Sequence, residues 1–455
     1  MTTLLAMTLV LMALALVAIM FRDHQRGTCE LLSCRNIALV GLILFQLGSC
    51  AYSLFTGDNS VFRIANPVWT GFQFVAMAAT FIVLALWAYR KGWLVTKLAS
   101  KLPTTHAMPS DTALLFNAAL LAGLSVVLRF GVGIPLVAIV AGTIGIGLSA
   151  VSGGLVGWVW GRRLLNPAVI FYSLVIVAAD VAIVMSLSFG RRGLVAVGGA
   201  IIWGMYYSAW RHLRTSGILT RMALVSLAPI VFLALFTSVR SSGEHQRSAG
   251  EHLRKIAEGG NIVRGIVDLV SGQYAGSISL FLIENYPENH EYRHMESVYY
   301  FFVLPVPRMW WPNKPIPLSM EIAREARISR VNWNRLKLGP GIIGHAAAEG
   351  GWYALIVYAL IAGMFFRFFD EIVRINIDSP FVVLAVGSAL GQFLGLPRGS
   401  VPNFAFLAVL TIGGAMVIMI VLGKIVEQFS PSPIPDDESY DSGEWDYEDD
   451  DGSNP

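Results

Sequence analysis

His345 and Glu349 stand four residues apart in the run Gly339-Pro340-Gly341-Ile342-Ile343-Gly344-His345-Ala346-Ala347-Ala348-Glu349-Gly350-Gly351. On a helix that spacing places both side chains on one face. Histidine is the side chain best suited to proton transfer near neutral pH, and a nearby carboxylate can orient it. Some thirty residues earlier lies Pro305-Val306-Pro307-Arg308-Met309-Trp310-Trp311-Pro312-Asn313-Lys314-Pro315. Its prolines fix φ and restrict the residues before them, so the element is stiff. Arg308 and Lys314 add two cations, and Trp310 and Trp311 add flat apolar faces suited to sugar rings or to a membrane interface.

More cations precede these groups. Gly190-Arg191-Arg192 forms a short basic loop, and Arg240 opens the polar stretch that contains the tryptophans. Asp180 lies inside an apolar run. An acid in that setting is a functional candidate by default, or else the partner of an arginine or polar group on a neighbouring helix. His245 and His252 repeat at seven residues, Gly243-Glu244-His245 and then Gly250-Glu251-His252. Metal binding wants ligands one turn apart and a third donor, so this repeat reads as a solvated helical face. No phosphate-binding glycine loop, nucleophile elbow or HExxH motif is present, which argues against nucleotide-driven transport and soluble-type hydrolysis.

The elements that carry these residues are membrane elements. The 455 residues are 55% hydrophobic and only 14% charged, with mean hydropathy +0.61. A soluble domain carries about 25% charge, so a polytopic membrane protein is expected. About eleven stretches are long and apolar enough to span a bilayer: 3–21, 36–56, 67–89, 112–128, 131–158, 166–188, 194–210, 219–238, 352–368, 379–396 and 403–424. The first has no basic flank and no small-residue cleavage site, so it reads as a retained helix. The division is 1–238 with eight spans, 239–351 as one large extramembrane loop, 352–425 with three spans, and 426–455 as an acidic tail. The tail carries ten acidic and no basic residues between Asp436 and Asp451 and has the composition of disorder. Cys29, Cys34 and Cys50 are the three cysteines, and none falls in the loop, so no disulfide framework is expected.

Arg22, Arg26 and Arg35, then Arg90, Lys91, Lys97 and Lys101, then Arg162 and Arg163, then Arg211 and Arg214 occupy alternate short loops. By the positive-inside rule these loops are cytoplasmic. The N-terminus and the 239–351 loop then lie outside, and the tail lies inside. Arg191 and Arg192 fall on the outside, which either anion binding or a miscount of the helices would explain. The loop holds 13 basic and 11 acidic residues and is no low-complexity linker. Within it, 262–283 reads as an amphipathic helix on the membrane surface and 321–330 as a short charged helix.

Pro307-Arg308-Met309-Trp310-Trp311-Pro312-Asn313-Lys314-Pro315, late in one large loop and followed by a Gly-rich segment before the next span, resembles the Wzy-type O-antigen polymerases. These are bacterial oligosaccharide repeat-unit polymerases related to the O-antigen ligases. The element matches Pro-Arg-x-x-Trp-Pro-x-Lys-Pro at every fixed position, and the arginines after Gly190 are also similar. The resemblance covers about residues 160–425. Gly344-His345 departs from it, standing where many polymerases are expected to have Gly-Glu, and is similar to the ligases instead.

The resemblance implies an all-α, GT-C-like membrane fold in the bacterial inner membrane. It also implies a metal-independent, inverting glycosyl transfer between polyprenyl-pyrophosphate-linked oligosaccharides outside the cytoplasm, with no cofactor and no nucleic acid. A chain-length regulator or a flippase would be a protein partner. Arginines in a low-dielectric cleft stabilise a leaving pyrophosphate. That assigns catalysis to His345, Arg308 and Arg191, and substrate binding to Arg192, Arg240, Trp310, Trp311, Lys314 and Glu349. The tryptophan element and the His345 segment are expected to meet the earlier arginines at the membrane surface. A ligase-type transferase and a polysaccharide transporter or flippase are the alternatives.

Overall fold

Asn66-Pro67 and Asn166-Pro167 each start a long helix, the asparagine side chain accepting from the first free backbone N–H groups and the proline occupying the first turn. Ser33 and Ser110 cap two more starts in the same way. These local signals organise a computed structural model that is 80% helical, with no strand among the described residues. The structure describes residues 1–57, 62–103, 109–133, 135–186, 192–239, 249–271, 274–326 and 338–429. Arg191, Arg240, His245, residues 327–337 and the acidic tail lie outside them.

Ten helices among the described residues are long and apolar enough to cross a membrane, which makes this a multi-pass membrane protein. The first eight are α1 (Thr2–Gln25), α2 (Cys34–Thr56), α3 (Pro67–Lys91), α4 (Asp111–Phe130), α5 (Pro135–Arg162), α6 (Pro167–Met185), α7 (Arg192–Trp210) and α8 (Thr215–Ser238). The loop supplies α9 (Ala249–Gly259), α10 (Ile262–Ser271), α11 (Ala275–Asn285), α12 (Glu296–Val303), α13 (Leu318–Glu325) and α14 (Gly341–Gly350). Then follow α15 (Trp352–Ile375), α16 (Pro380–Gly387), α17 (Leu390–Gly395) and α18 (Val401–Phe429). The tenth of the eleven expected spans is a broken one. The apolar run 379–396 is interrupted at Ser388-Ala389, where Ser388 Oγ turns back to Ala385 O at 2.6 Å.

Polar contacts sort the helix ends onto two faces. Asp370 in α15 accepts from the N–H groups of Cys34 and Arg35 at 2.6 and 3.2 Å. Asp111 pairs with Arg162 at 2.8 Å, and Arg211 pairs with Asp378 at 2.6 Å. The buried Arg35–Asp23 pair closes at 2.8 Å on the same face. On the other face, Glu284 at the end of α11 accepts from Ala65 and Asn66 N–H at 2.9 and 2.7 Å. The 239–351 loop and the basic short loops therefore lie at opposite ends of the bundle, as the alternation of charge requires.

The loop does not stay outside the bundle. The segment 262–283 is two elements rather than one surface helix. Helix α10 keeps Ile262, Val263, Ile266 and Val267 exposed, while α11 is buried from Ala275 through Ile283. The small residues of α11 are contact residues: a side chain at Gly276 would overlap the backbone of Cys50 in α2. Helix α14 is buried from Gly341 through Glu349. Gln46, near the centre of α2 in a π-helical stretch, donates from Nε2 to both Pro340 O and Pro397 O at 2.8 Å. Ser279 Oγ of α11 joins them at 3.0 Å from Gln46 Oε1 and 2.9 Å from Pro340 O. The start of α14 and the turn between α17 and α18 thus reach the mid-level of a membrane-crossing helix. Gly341 has φ +67°, and a Cβ there would collide with Pro397 O and Gln46 Nε2.

Candidate functional site

Helix α14 rises from Gln46 toward the loop-bearing end of the bundle and carries His345 and Glu349, each only 1% exposed. Glu349 Oε1 lies 2.8 Å from His345 Nδ1 and accepts from Ser297 Oγ at 2.6 Å. Its other oxygen accepts from Ser297 N–H at 2.7 Å and from the Tyr358 hydroxyl. One carboxylate thus ties α12, α14 and α15 together. Burial works against its charge. The donors His345, Ser297 and Tyr358 outweigh that and hold the Glu349 carboxyl below the ordinary glutamate range.

The second ring nitrogen of His345 faces the start of α18. Val401 N–H points at Nε2 from 3.4 Å, at the weak end of hydrogen bonding. Nε2 is therefore the acceptor and Nδ1 carries the proton, which suits the Glu349 carboxylate. This is the arrangement of an oriented base: a carboxylate fixes the tautomer and leaves Nε2 as the proton-accepting atom. For Nε2 to take a proton from a substrate, the long contact with Val401 must give way.

Arg192 reaches the same helix start from the other side. Its guanidinium lies 3.9 Å from the ring centre of Phe404, one turn beyond Val401. It is exposed and has no ion-pair partner among the described residues. Phe406 meets Phe301 of α12 with ring centres 5.9 Å apart. The first turns of α18 therefore gather Arg192, His345 and α12, all at the end of the bundle that bears the loop.

The tryptophan element sits beside this junction and uses its cations internally. Arg308 donates to Lys314 O at 2.9 Å and to Pro315 O at 3.1 Å. The buried Lys314 ammonium donates to Leu304 O and Val306 O, each at 2.9 Å, and lies 5.2 Å from the Tyr300 ring centre. Burial and the neighbouring Arg308 push the Lys314 amine below its ordinary value. Both cations staple a stiff turn. Phe302, Met309 and Trp310 stand 72, 78 and 67% exposed, and Trp311 is half-covered with its edge toward Tyr299.

The structure thus brings together His345, Glu349 and Arg192, and sets Arg308, Lys314, Trp310 and Trp311 in the adjoining loop. Arg191 and Arg240 lie outside the described residues. Sequence reasoning missed Ser297 and Gln46, whose partners are remote along the chain, and Tyr358, whose partner Glu349 lies across the Gly350-Gly351 turn. It also missed Arg293, which binds Glu296, Glu321 and Ile316 O and so ties α13 to the approach to α12.

No family model matches the chain, and no curated protein or solved structure matches it.

Proposed function

We propose that this chain is a glycosyltransferase of the bacterial inner membrane, with a GT-C-like architecture. It joins polyprenyl-pyrophosphate-linked oligosaccharide repeat units into a surface polysaccharide on the extracytoplasmic side. The observation that carries the reading is the convergence at the start of α18. Arg192, a cation with no ion-pair partner among the described residues, and His345, a base oriented by Glu349, meet the same helix start at 3.9 Å from Phe404 and 3.4 Å from Val401 N.

In this reading the acceptor sugar hydroxyl attacks the anomeric carbon of the donor. The bond from that carbon to the pyrophosphate oxygen breaks, and polyprenyl pyrophosphate leaves with the electron pair. The acceptor's proton passes to His345 Nε2, with Glu349 bearing on Nδ1. Arg192 neutralises the developing charge, helped by the N-terminal N–H groups of α18. Single displacement inverts the anomeric centre. Trp310 and Trp311 offer faces for the growing glycan, and Arg308 and Lys314 hold the turn that presents them.

The test is complementation of a strain lacking the gene. Arg192→Ala and His345→Ala should each shorten or abolish long surface polysaccharide at unchanged protein abundance. Normal chain lengths in both variants would remove the convergence from the mechanism. Free lipid-linked polymer in the deletion strain would favour a ligase-type acceptor. A transporter is the second reading, and Asp180 is the observation that favours it.

A further inference from the structure

Asp180 belongs to none of the groups above. It lies about a turn and a half inside the loop-side end of α6 and is 0% exposed. Neither of its carboxyl oxygens has a hydrogen-bond partner among the described residues. Ser173, two turns earlier on the same face, is equally buried and its hydroxyl equally unpartnered. Facing helices add three more fully buried hydroxyls, Ser125 of α4 and Ser149 and Ser152 of α5. Ser125 Oγ lies 2.7 Å from Ser149 Oγ and from Gly145 O.

Ser152 of α5 gives its own proton to Ala118 O at 2.9 Å and so donates nothing to the Asp180 carboxyl. What remains on Ser152 is lone pairs. A carboxylate cannot use them, whereas the O–H of a carboxylic acid can donate to them. Charge compensation is missing among the described residues as well. The elements packed against α6 are α4, α5, α7 and α9. Their charged and titratable groups are Asp111 and Arg129, Arg162, Arg192, Tyr206 and Tyr207, and on α9 Glu251, His252, Arg254, Lys255 and Glu258. None of these is hydrogen-bonded or ion-paired to Asp180 among the described residues. An unpaired carboxylate in an apolar interior is costly enough that the group takes a proton instead.

We propose that Asp180 is held as the neutral acid and is an exchangeable proton site, with the buried row Ser125, Ser149, Ser152 and Ser173 as its polar surroundings between α4, α5 and α6. The inference stands apart from the glycosyltransferase reading, since it concerns a different helix group.

Infrared spectroscopy of the full chain in an ester-free detergent, where no lipid carbonyl overlaps the carboxyl band, tests it. At neutral pH a carbonyl stretch of a protonated carboxyl is expected, absent in Asp180→Asn and shifted when the folded protein is moved into D2O. Should Asp180→Asn fail to fold, Asp180→Glu is expected to move the band rather than remove it. An unchanged band in Asp180→Asn, or no band in the parent protein, overturns the proposal. A band insensitive to D2O overturns exchange. Loss of the band on adding sodium at constant pH assigns the site to a metal cation and overturns it as well.

Discussion

Gln46 donates to Pro340 O at 2.8 Å across a sequence separation of 294 residues. The same nitrogen donates to Pro397 O, so one amide near the centre of α2 anchors both the start of α14 and the turn before α18. His345 and Val401, on the two elements so anchored, are in register because of it. Gln46→Leu is expected to leave the Pro397 carbonyl without this donor, at about 1–3 kcal/mol, while Pro340 O keeps only Ser279 Oγ. The thermal midpoint of the purified protein should fall by several degrees. A midpoint equal to the parent's would show that the amide anchors nothing.

Glu349 gives a pH prediction. Its folded-state carboxyl sits below its ordinary value of 4.5. A depressed acid contributes stability that is whole above the unfolded value and is lost as pH falls through the folded one. The parent protein should therefore lose stability on acidification below about 4.5, and Glu349→Gln should lose less over the same window. Identical pH profiles for the two proteins would contradict the assignment of charge to Glu349.

The turn from Pro305 to Pro315 separates two roles. Lys314→Ala removes a buried ammonium from two carbonyls and should cost about 1–3 kcal/mol, read as faster proteolytic cleavage of the loop. Trp310→Ala removes an exposed ring and should change stability by less than about 0.5 kcal/mol. In the glycosyltransferase reading Trp310→Ala nevertheless shortens the polysaccharide. Equal cleavage rates for Lys314→Ala and the parent would show that the cation is not a staple.

Much of the fold was legible because a crossing helix needs about 20 apolar residues, and few other elements leave that mark. Arg129 and Phe130 were enough to divide α4 from α5. The break at Ser388-Ala389 was not legible, since hydropathy runs through it undisturbed. The segment 262–283 read as one surface helix because apolar and small residues alternate along it. In the fold the small ones are close contacts, Gly276 on Cys50 and Ser279 on Gln46. At the site, His345 and Glu349 were visible because helical spacing is local. Ser297 and Tyr358 were not, because Ser297 lies 48 residues before His345 and Tyr358 lies beyond the Gly350-Gly351 turn. Arg308 and Lys314 were visible as cations, but no sequence pattern says that a cation's donors are spent on its own loop.

Topology has a direct check. Single cysteines at Glu284 and Asp378, introduced with Cys29, Cys34 and Cys50 replaced, should label from opposite sides of the membrane. Glu284 should react from outside the cell and Asp378 only after permeabilisation. Labelling of both from one side would contradict the two-face arrangement, and the reverse pattern would invert the proposed orientation.

The central claim is that this chain itself lengthens lipid-linked oligosaccharides. The most direct measurement is incubation of the purified protein in proteoliposomes with polyprenyl-pyrophosphate-linked repeat units, followed by sizing of the lipid-linked glycans. The account predicts a ladder of multiples of the repeat with release of polyprenyl pyrophosphate, lost in Arg192→Ala and His345→Ala. Single units that persist unchanged with the folded parent protein, across donor repeats from the source cell, would contradict it.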